Sequence, residues 1–281
     1  MVGLALAIGA SVAWGGSDFV AGLASRKRPL LAVLVGSQVI GLLAVLVTLA
    51  AATPALPPGR AMLFAAGAGL AEILGFAALY RGLAHGPMGV VAPIAALGGA
   101  VPLTVGLVIG EHPGALGAAG LVVALMGVAL VCTERERGEG PVLRGLLLAG
   151  AAAVSFGLFF VLMASATDAG GATWAVASSR VASVAMLVVV VAVAGGVRLA
   201  AADVPPIAAI GLLDIGANAL FAVALTAGID PVVSAVGSLY PLTTVVLAQL
   251  VLDERLSRMQ GAGVATTLAG IGAVGLTGAG G

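Results

Sequence analysis

Cysteine is almost missing from this chain of 281 residues: Cys132 is the only one. That excludes a disulfide framework and a thiolate metal cluster. Histidine is nearly as scarce, with His85 and His112 in different loops and no HExxH pair, so no metal site is expected. Charge is sparse too, at 9% of residues, and the 12 basic and 12 acidic side chains cancel. A net charge of zero argues against a nucleic-acid partner or a polybasic lipid-binding role. A Walker-type phosphate loop is absent, so the chain does not drive itself with ATP. There is no Gly-x-Ser-x-Gly nucleophile elbow, and the single lysine, Lys27, lies in a loop, which excludes a Schiff base inside a membrane. An intramembrane enzyme would have little to work with, and no cofactor is expected.

What the chain has instead is apolar mass. Hydrophobic residues make up 61% of it, and there are 43 glycines. Mean hydropathy is +1.21. The charges cluster in short segments between apolar runs of about 20 residues, the length that crosses a bilayer of roughly 30 Å. Glycine in such number suits closely packed membrane helices. The runs predict ten spans, at about 3–23, 30–51, 61–80, 88–109, 114–132, 142–164, 173–194, 206–227, 232–251 and 260–278. They are too long and too uniformly apolar for the strands of a spanning barrel, so an all-α membrane protein is expected. The first span begins near Met1 without a basic segment before it, so no cleaved signal peptide is expected.

The chain also matches itself. At an offset of about 143 residues, Glu111 falls on Glu254, Gly120 on Gly263 and Gly127 on Gly270; at 142, Gly15 falls on Gly157 and Gln38 on Arg180. Five spans per copy is an odd number, which turns the second copy upside down in the membrane. Inverted repeats are a mark of alternating-access carriers. The expected organisation is a first five-helix repeat at 1–132, a polar linker at 133–140 and a second repeat at 141–281.

Basic residues take one side. The loops after odd-numbered spans hold Arg26, Lys27, Arg28, Arg81, Arg135, Arg137, Arg144, Arg198, Arg255 and Arg258; the other side holds only Arg60. The positive-inside rule then places the odd loops in the cytoplasm and both termini outside.

Several segments resemble one family. Trp14-Gly15-Gly16-Ser17-Asp18-Phe19-Val20 is similar to the WGxxF-type opening of EamA domains, and Val91-Ala92-Pro93-Ile94-Ala95-Ala96-Leu97 to their APIxxL segment, with Gly237-Ser238-Leu239-Tyr240-Pro241-Leu242 as its counterpart. Asp253-Glu254-Arg255-Leu256-Ser257, followed by Gln260 and Gly263, resembles the GERLSxxQxxG end of each repeat; Gly110-Glu111-His112-Pro113-Gly114 is a degenerate copy, with Gly117 in the glutamine's place. The resemblance covers nearly the whole chain. It implies a ten-helix EamA-type carrier of the drug/metabolite transporter superfamily, moving amino acids, other small metabolites or drugs, often outward. It also implies cytoplasmic termini, the reverse of the charge bias, so the orientation stays open.

A charge at the centre of a spanning helix costs about 2.5–3.5 kcal/mol, so it should face a cavity or a partner. Four such charges fall inside the spans: Asp18, Glu72, Arg180 and Asp214. Glu72 and Asp214 come from spans 3 and 8, which are repeat mates, and so from opposite halves. Either one exchanges a proton and couples transport to a proton gradient, or both are neutralised by Arg180 and lock the fold. Arg180 in turn either grips a substrate carboxylate or serves as a structural ion-pair partner. Asn218 shares a helix face with Asp214. Trp14, Asp18 and Ser11 share a face of span 1, where Trp14 is either a cavity wall that stacks on a substrate or cation or a belt residue at the interface. Tyr240 lies mid-span and can offer a hydroxyl to the cavity. Pro93, Pro102 and Pro241 should kink spans 4 and 9. Glu111 and Glu254, at helix ends, either cap the following helix or make gating contacts. Gly106 and Gly110 form a small-xxx-small helix contact, and Arg81 and His85 are expected at the interface.

The residues expected to bind substrate are thus Trp14, Asp18, Arg180, Asn218 and Tyr240, with Glu72 and Asp214 for proton coupling. The expected partners are a small-molecule substrate and the lipid bilayer of the cell membrane; a homodimer stays open. The alternative to a carrier is a non-transporting membrane sensor or assembly protein. A channel fits less well, because no ring of polar residues lines one face.

Overall fold

A computed structural model of the chain describes residues 2–52, 55–101, 105, 115–133, 141–226 and 239–277. These residues form ten α-helices and no strand: α1 (Val2–Lys27), α2 (Leu30–Ala52), α3 (Gly59–His85), α4 (Met88–Ala95), α5 (Ala115–Thr133), α6 (Pro141–Gly170), α7 (Ala172–Val193), α8 (Val204–Thr226), α9 (Tyr240–Leu252) and α10 (Arg258–Thr277). Short 3-10 turns cover Ala96–Ala100 and Ala201–Asp203.

Local chemistry sets the helix ends. Pro58 and Pro87 stand just before α3 and α4, where a missing N–H costs nothing. Gly171, at φ +80°, breaks α6 from α7 in a conformation that glycine adopts freely. Ser257 and Gln260 form a capping box at the start of α10, the Ser257 amide donating to Gln260 Oε1 and the Gln260 amide to Ser257 Oγ, both at 3.1 Å. Pro93 lies inside α4, which gives way to the 3-10 turn two residues later. Tyr240 and Pro241, expected in mid-span, are the first two residues of α9, where Pro241 needs no intrahelical donor; the start of that expected span, 232–238, lies outside the described residues. Pro102, Gly106, Gly110, Glu111 and the linker residues 134–140 lie outside the described residues.

Six helical segments are long and apolar enough to cross a membrane: Ala5–Lys27, Leu30–Ala51, Gly59–His85, Leu143–Thr167, Thr173–Val193 and Ala201–Phe221. Their outer faces carry exposed side chains such as Leu43, Val47, Leu63, Val154, Val188 and Leu212. Buried among them are Asp18, Gln38, Glu72, Arg180 and Asp214. Apolar outside and polar inside is the arrangement that lipid, not water, favours.

The packing follows the repeat. Helix α1 packs on α8, and its repeat mate α6 packs on α3; α2 packs on α7 and α8, and α7 on α2 and α3. The mates α5 and α10 pack on each other. A Cβ at Gly127 would meet Thr267 and Gly263, and one at Gly270 would meet Ala124 and Gly120. The numbers on one helix fall as those on the other rise, so the two mates run antiparallel, as inverted copies must. The halves therefore interdigitate.

The odd-numbered loops share one face. Arg26 Nε donates to the Leu83 carbonyl at 3.3 Å and Arg26 Nη2 reaches Glu254 Oε1 at 3.5 Å. Arg28 pairs with Asp203 at 2.5 Å. Arg81 and Arg144 line one cavity of about 380 Å³ with His85 and Leu148. These groups bring together the end of α1, the end of α3, the start of α6, the turn before α8 and the chain after α9. All but one of the described basic residues outside the core therefore lie on one side of the bundle; Arg60, at the start of α3, lies on the other.

Candidate functional site

Arg180 is 1% exposed and is the largest of the fully buried side chains. A close helix crossing puts it there. A Cβ at Gly69 would run into the Ser179 carbonyl, so only glycine lets α7 lie this near α3. Ser183 Oγ pins the crossing by donating to the Gly69 carbonyl at 2.8 Å. One turn along α3 from Gly69 stands Glu72, and Arg180 Nη2 comes within 3.3 Å of its Oε1. The same Nη2 donates to Asp214 Oδ2 on α8 at 2.5 Å, and Nη1 donates to Gln38 Oε1 on α2 at 2.6 Å. One guanidinium thus ties four helices and both halves. Glu72 Oε2 and Arg180 Nε are buried without a hydrogen-bond partner. The groups are buried, so these interactions are strong but cost much desolvation.

Asp18 stands beside this cluster. Ser17 Oγ donates to the Ile210 carbonyl at 3.1 Å and holds α1 against α8. Asp214 is one turn beyond Ile210, and the two carboxylates lie within electrostatic reach of each other. Tyr80, 1% exposed on α3, lies within reach of Asp18, Glu72, Arg180 and Asp214. Tyr240 also neighbours Asp18.

Next to Asp18 three rings meet. Trp14 is 5.2 Å from Phe221 at 51° and 6.3 Å from Tyr240 at 70°. All three rings are half-buried. Tyr240 approaches because Gly15 has no side chain: a Cβ there would hit the Tyr240 carbonyl, and Thr244 Oγ1 instead donates to the Gly15 carbonyl at 3.0 Å. Asn218 sits half-buried on α8, on the face between Asp214 and Phe221.

Sequence reasoning thus named residues that meet in two adjoining groups: Glu72, Arg180 and Asp214 in direct contact, and Trp14 with Tyr240 around Asp18. It missed Tyr80, Phe221 and Ser183, and it named Gln38 only as the repeat mate of Arg180. A signal for Phe221 was present. It lies 145 residues after Phe76 and Phe156 lies 142 after Trp14, so the pair Trp14–Phe221 repeats the pair Phe156–Phe76, whose rings are 5.4 Å apart.

On the face of the odd loops, Glu254 does something other than cap its own following helix. It accepts from the Met88 amide at 3.2 Å and the Gly89 amide at 3.1 Å, and so caps α4 of the other half. The following helix has Ser257 instead. Arg26, His85, Glu254, Arg255 and Gln260 help to line a cavity of about 420 Å³. Neither this cavity nor the one at Arg81 is lined by a residue of the buried cluster. Among the described residues, no three histidine, cysteine or carboxylate side chains come together as a metal site.

The fold and the buried cluster define a class: a multi-pass integral membrane protein built of two interlocked, antiparallel helical repeats. The sequence profile of the EamA-like transporter family matches residues 1–133 and again 143–276. The chain belongs to that family of membrane transporters. No curated protein sequence matches it. One solved chain, described only as the crystal structure of a protein, superposes with a TM-score of 0.67 at 17% identity, over 96% of this chain and 95% of the other. At that identity the likeness concerns the fold alone.

Proposed function

We propose that this chain is a ten-span secondary carrier that moves small organic metabolites, amino acids or drug-like compounds, outward by alternating access with proton coupling. The observation that carries the reading is the position of Arg180. It sits where the two halves meet and touches one acid from each, Glu72 on α3 and Asp214 on α8. Carriers built from inverted repeats bind and couple at that interface. Arg180 then has two alternative partners in repeat-related helices. Protonation of Asp214 would release the guanidinium toward Glu72, and protonation of Glu72 would commit it to Asp214. Each choice favours a different packing of α3 and α8 around α7. The charge bias favours a cytoplasmic position for the face with Arg26, Arg28 and Arg81, and the family resemblance the reverse.

The test is transport by the purified protein in liposomes, with and without a pH gradient. Uptake that responds to the gradient and is lost in Glu72→Gln and Asp214→Asn is the expected result. Uptake indifferent to all three removes the proton coupling. No uptake of any amino acid or cationic drug under either condition favours the other reading, a sensor or assembly protein in which the Arg180 pairs only lock the fold.

A further inference from the structure

The charges in the core do not balance. Asp18, Glu72 and Asp214 are each at most 7% exposed, and Arg180 is the one buried cation among the described residues. Arg180 is committed to Asp214, Glu72 and Gln38. Asp18 makes no ion pair or hydrogen bond with a described residue, and its charged neighbour is another acid, Asp214. A buried carboxylate without a counter-charge is costly. A proton would remove the charge, but it would not explain what surrounds it.

What surrounds it is aromatic. Tyr80 and Tyr240 lie within electrostatic reach of Asp18, and the Tyr240 ring packs on Trp14. One turn away along α1 are Trp14 and, against it, Phe221. The other copy of the repeat shows what a merely structural version looks like. There Phe76 and Phe156 are each 8% exposed, Phe156 presses on Gly75, and the position 142 residues after Asp18 is Phe160. The half-open rings and the unpaired carboxylate occur together in one copy only. Four residues on a helix span about 6 Å, so Asp18 and Trp14 are one turn apart, close enough for one small molecule to touch both.

We infer that this group of side chains binds an organic ammonium. The nitrogen sits on Asp18 with the phenols of Tyr80 and Tyr240 beside it, and the apolar body lies against Trp14, Phe221 and Tyr240. A carboxylate supplies the counter-charge, and ring faces attract a cation as no aliphatic wall does. The assignment of this ligand as the transported substrate rests on the carrier reading. It makes the substrate an amine or quaternary ammonium rather than an acid, because the one buried guanidinium among the described residues already has its anions.

Trp14 can report binding directly. The chain has two tryptophans, so Trp174→Phe leaves Trp14 alone. This variant, in detergent, is titrated with phenethylammonium, benzyltrimethylammonium, phenethyl alcohol and 3-phenylpropionate. The expected result is saturable quenching by the two cations, about tenfold or more tighter than by the alcohol or the acid. Asp18→Asn should abolish that preference and Asp18→Glu should keep it. Equal binding of all four probes, preference for the acid, no binding of either cation, or a cation preference that survives Asp18→Asn each overturns the inference. Flux in liposomes separates the two readings. Asp18-dependent cation binding without cation flux keeps the site and removes the carrier; flux of the acid that ignores Asp18 keeps the carrier and removes the amine site.

Discussion

Gln38 and Arg180 are repeat mates, 142 residues apart, and they bond to each other at 2.6 Å. Residues related by a two-fold operation can touch only where the axis passes, so the pseudo-symmetry axis of the bundle runs through this contact. The reciprocal approaches of Gly127 to Thr267 and of Gly270 to Ala124 bracket a second point on it, where α5 and α10 cross. Strict symmetry would put the same residue on both sides. The chain has instead a neutral acceptor on α2 and a cation on α7, and the cation gathers one acid from each half.

That arrangement predicts an unequal response to charge removal. Arg180→Gln leaves Glu72 and Asp214 buried and unpaired, and should cost about 3–5 kcal/mol. Adding Glu72→Gln and Asp214→Asn removes the stranded charges and should recover most of the loss, although the triple variant has no coupling groups left. Thermal unfolding in detergent checks this. A triple variant no more stable than Arg180→Gln would mean that the cluster's charges are not what holds these helices.

The crossing at Gly69 predicts a steric effect with a built-in control. In Gly69→Ala the new methyl meets the Ser179 carbonyl, so α7 must move away and carry Arg180 from Glu72. Overpacking of this kind costs about 1–3 kcal/mol, and substrate-coupled function should fall with it. Gly216→Ala, on α8, meets nothing within 4 Å and should leave stability and transport near the wild-type level. Equal behaviour of the two variants would show that the close approach of α3 and α7 is unimportant.

The ion pair between Arg28 and Asp203 predicts a pH dependence. The hydrogen bond from Arg28, then that from the Ala200 amide, hold the Asp203 carboxyl below its usual value. A carboxylate whose folded-state value is depressed stabilises the fold above its unfolded-state value, and the benefit disappears as pH falls through the folded one. The difference in melting temperature between wild type and Asp203→Asn should therefore be present at neutral pH and vanish in acid, below the ordinary carboxylate range. It should be small, because the pair lies at the surface. A difference independent of pH would assign the effect to backbone geometry.

How much of this was legible beforehand follows from the kind of interaction. Helical class, membrane character and the doubling are carried by composition and periodicity, which a single chain displays along its length. The buried acids were visible because a charge inside an apolar run is costly wherever it lies. Tyr80 was not visible: an aromatic in an apolar helix looks the same whether or not the core it fills also holds charges. Pro241 resembled a mid-span kink, but the described helix starts just before it. For Glu254 the sequence leaves a cap for the helix that follows it or a gating contact, since local sequence shows only local partners. Its actual partners, the amides of Met88 and Gly89, are 166 and 165 residues away.

Glu254 yields the last prediction. Its carboxylate binds two amides at the positive end of α4 and lies 3.5 Å from the Arg26 guanidinium. It therefore clasps α1 and α4 of the first half to the chain after α9 of the second, on the face with the basic loops. An anion at a helix N-terminus contributes roughly 0.3–1 kcal/mol, enough to bias two packings of similar energy by several-fold. Glu254→Gln keeps the size but loses the charge, so this face should open more often. In a Cys132→Ser background, a cysteine placed by Ala84→Cys in the adjacent cavity should react several-fold faster with a water-soluble maleimide when Glu254→Gln is added. Ser257→Ala, which weakens only the cap of α10, should not produce that increase. If the two variants label alike, Glu254 is an ordinary cap, and the clasp between the halves lies elsewhere.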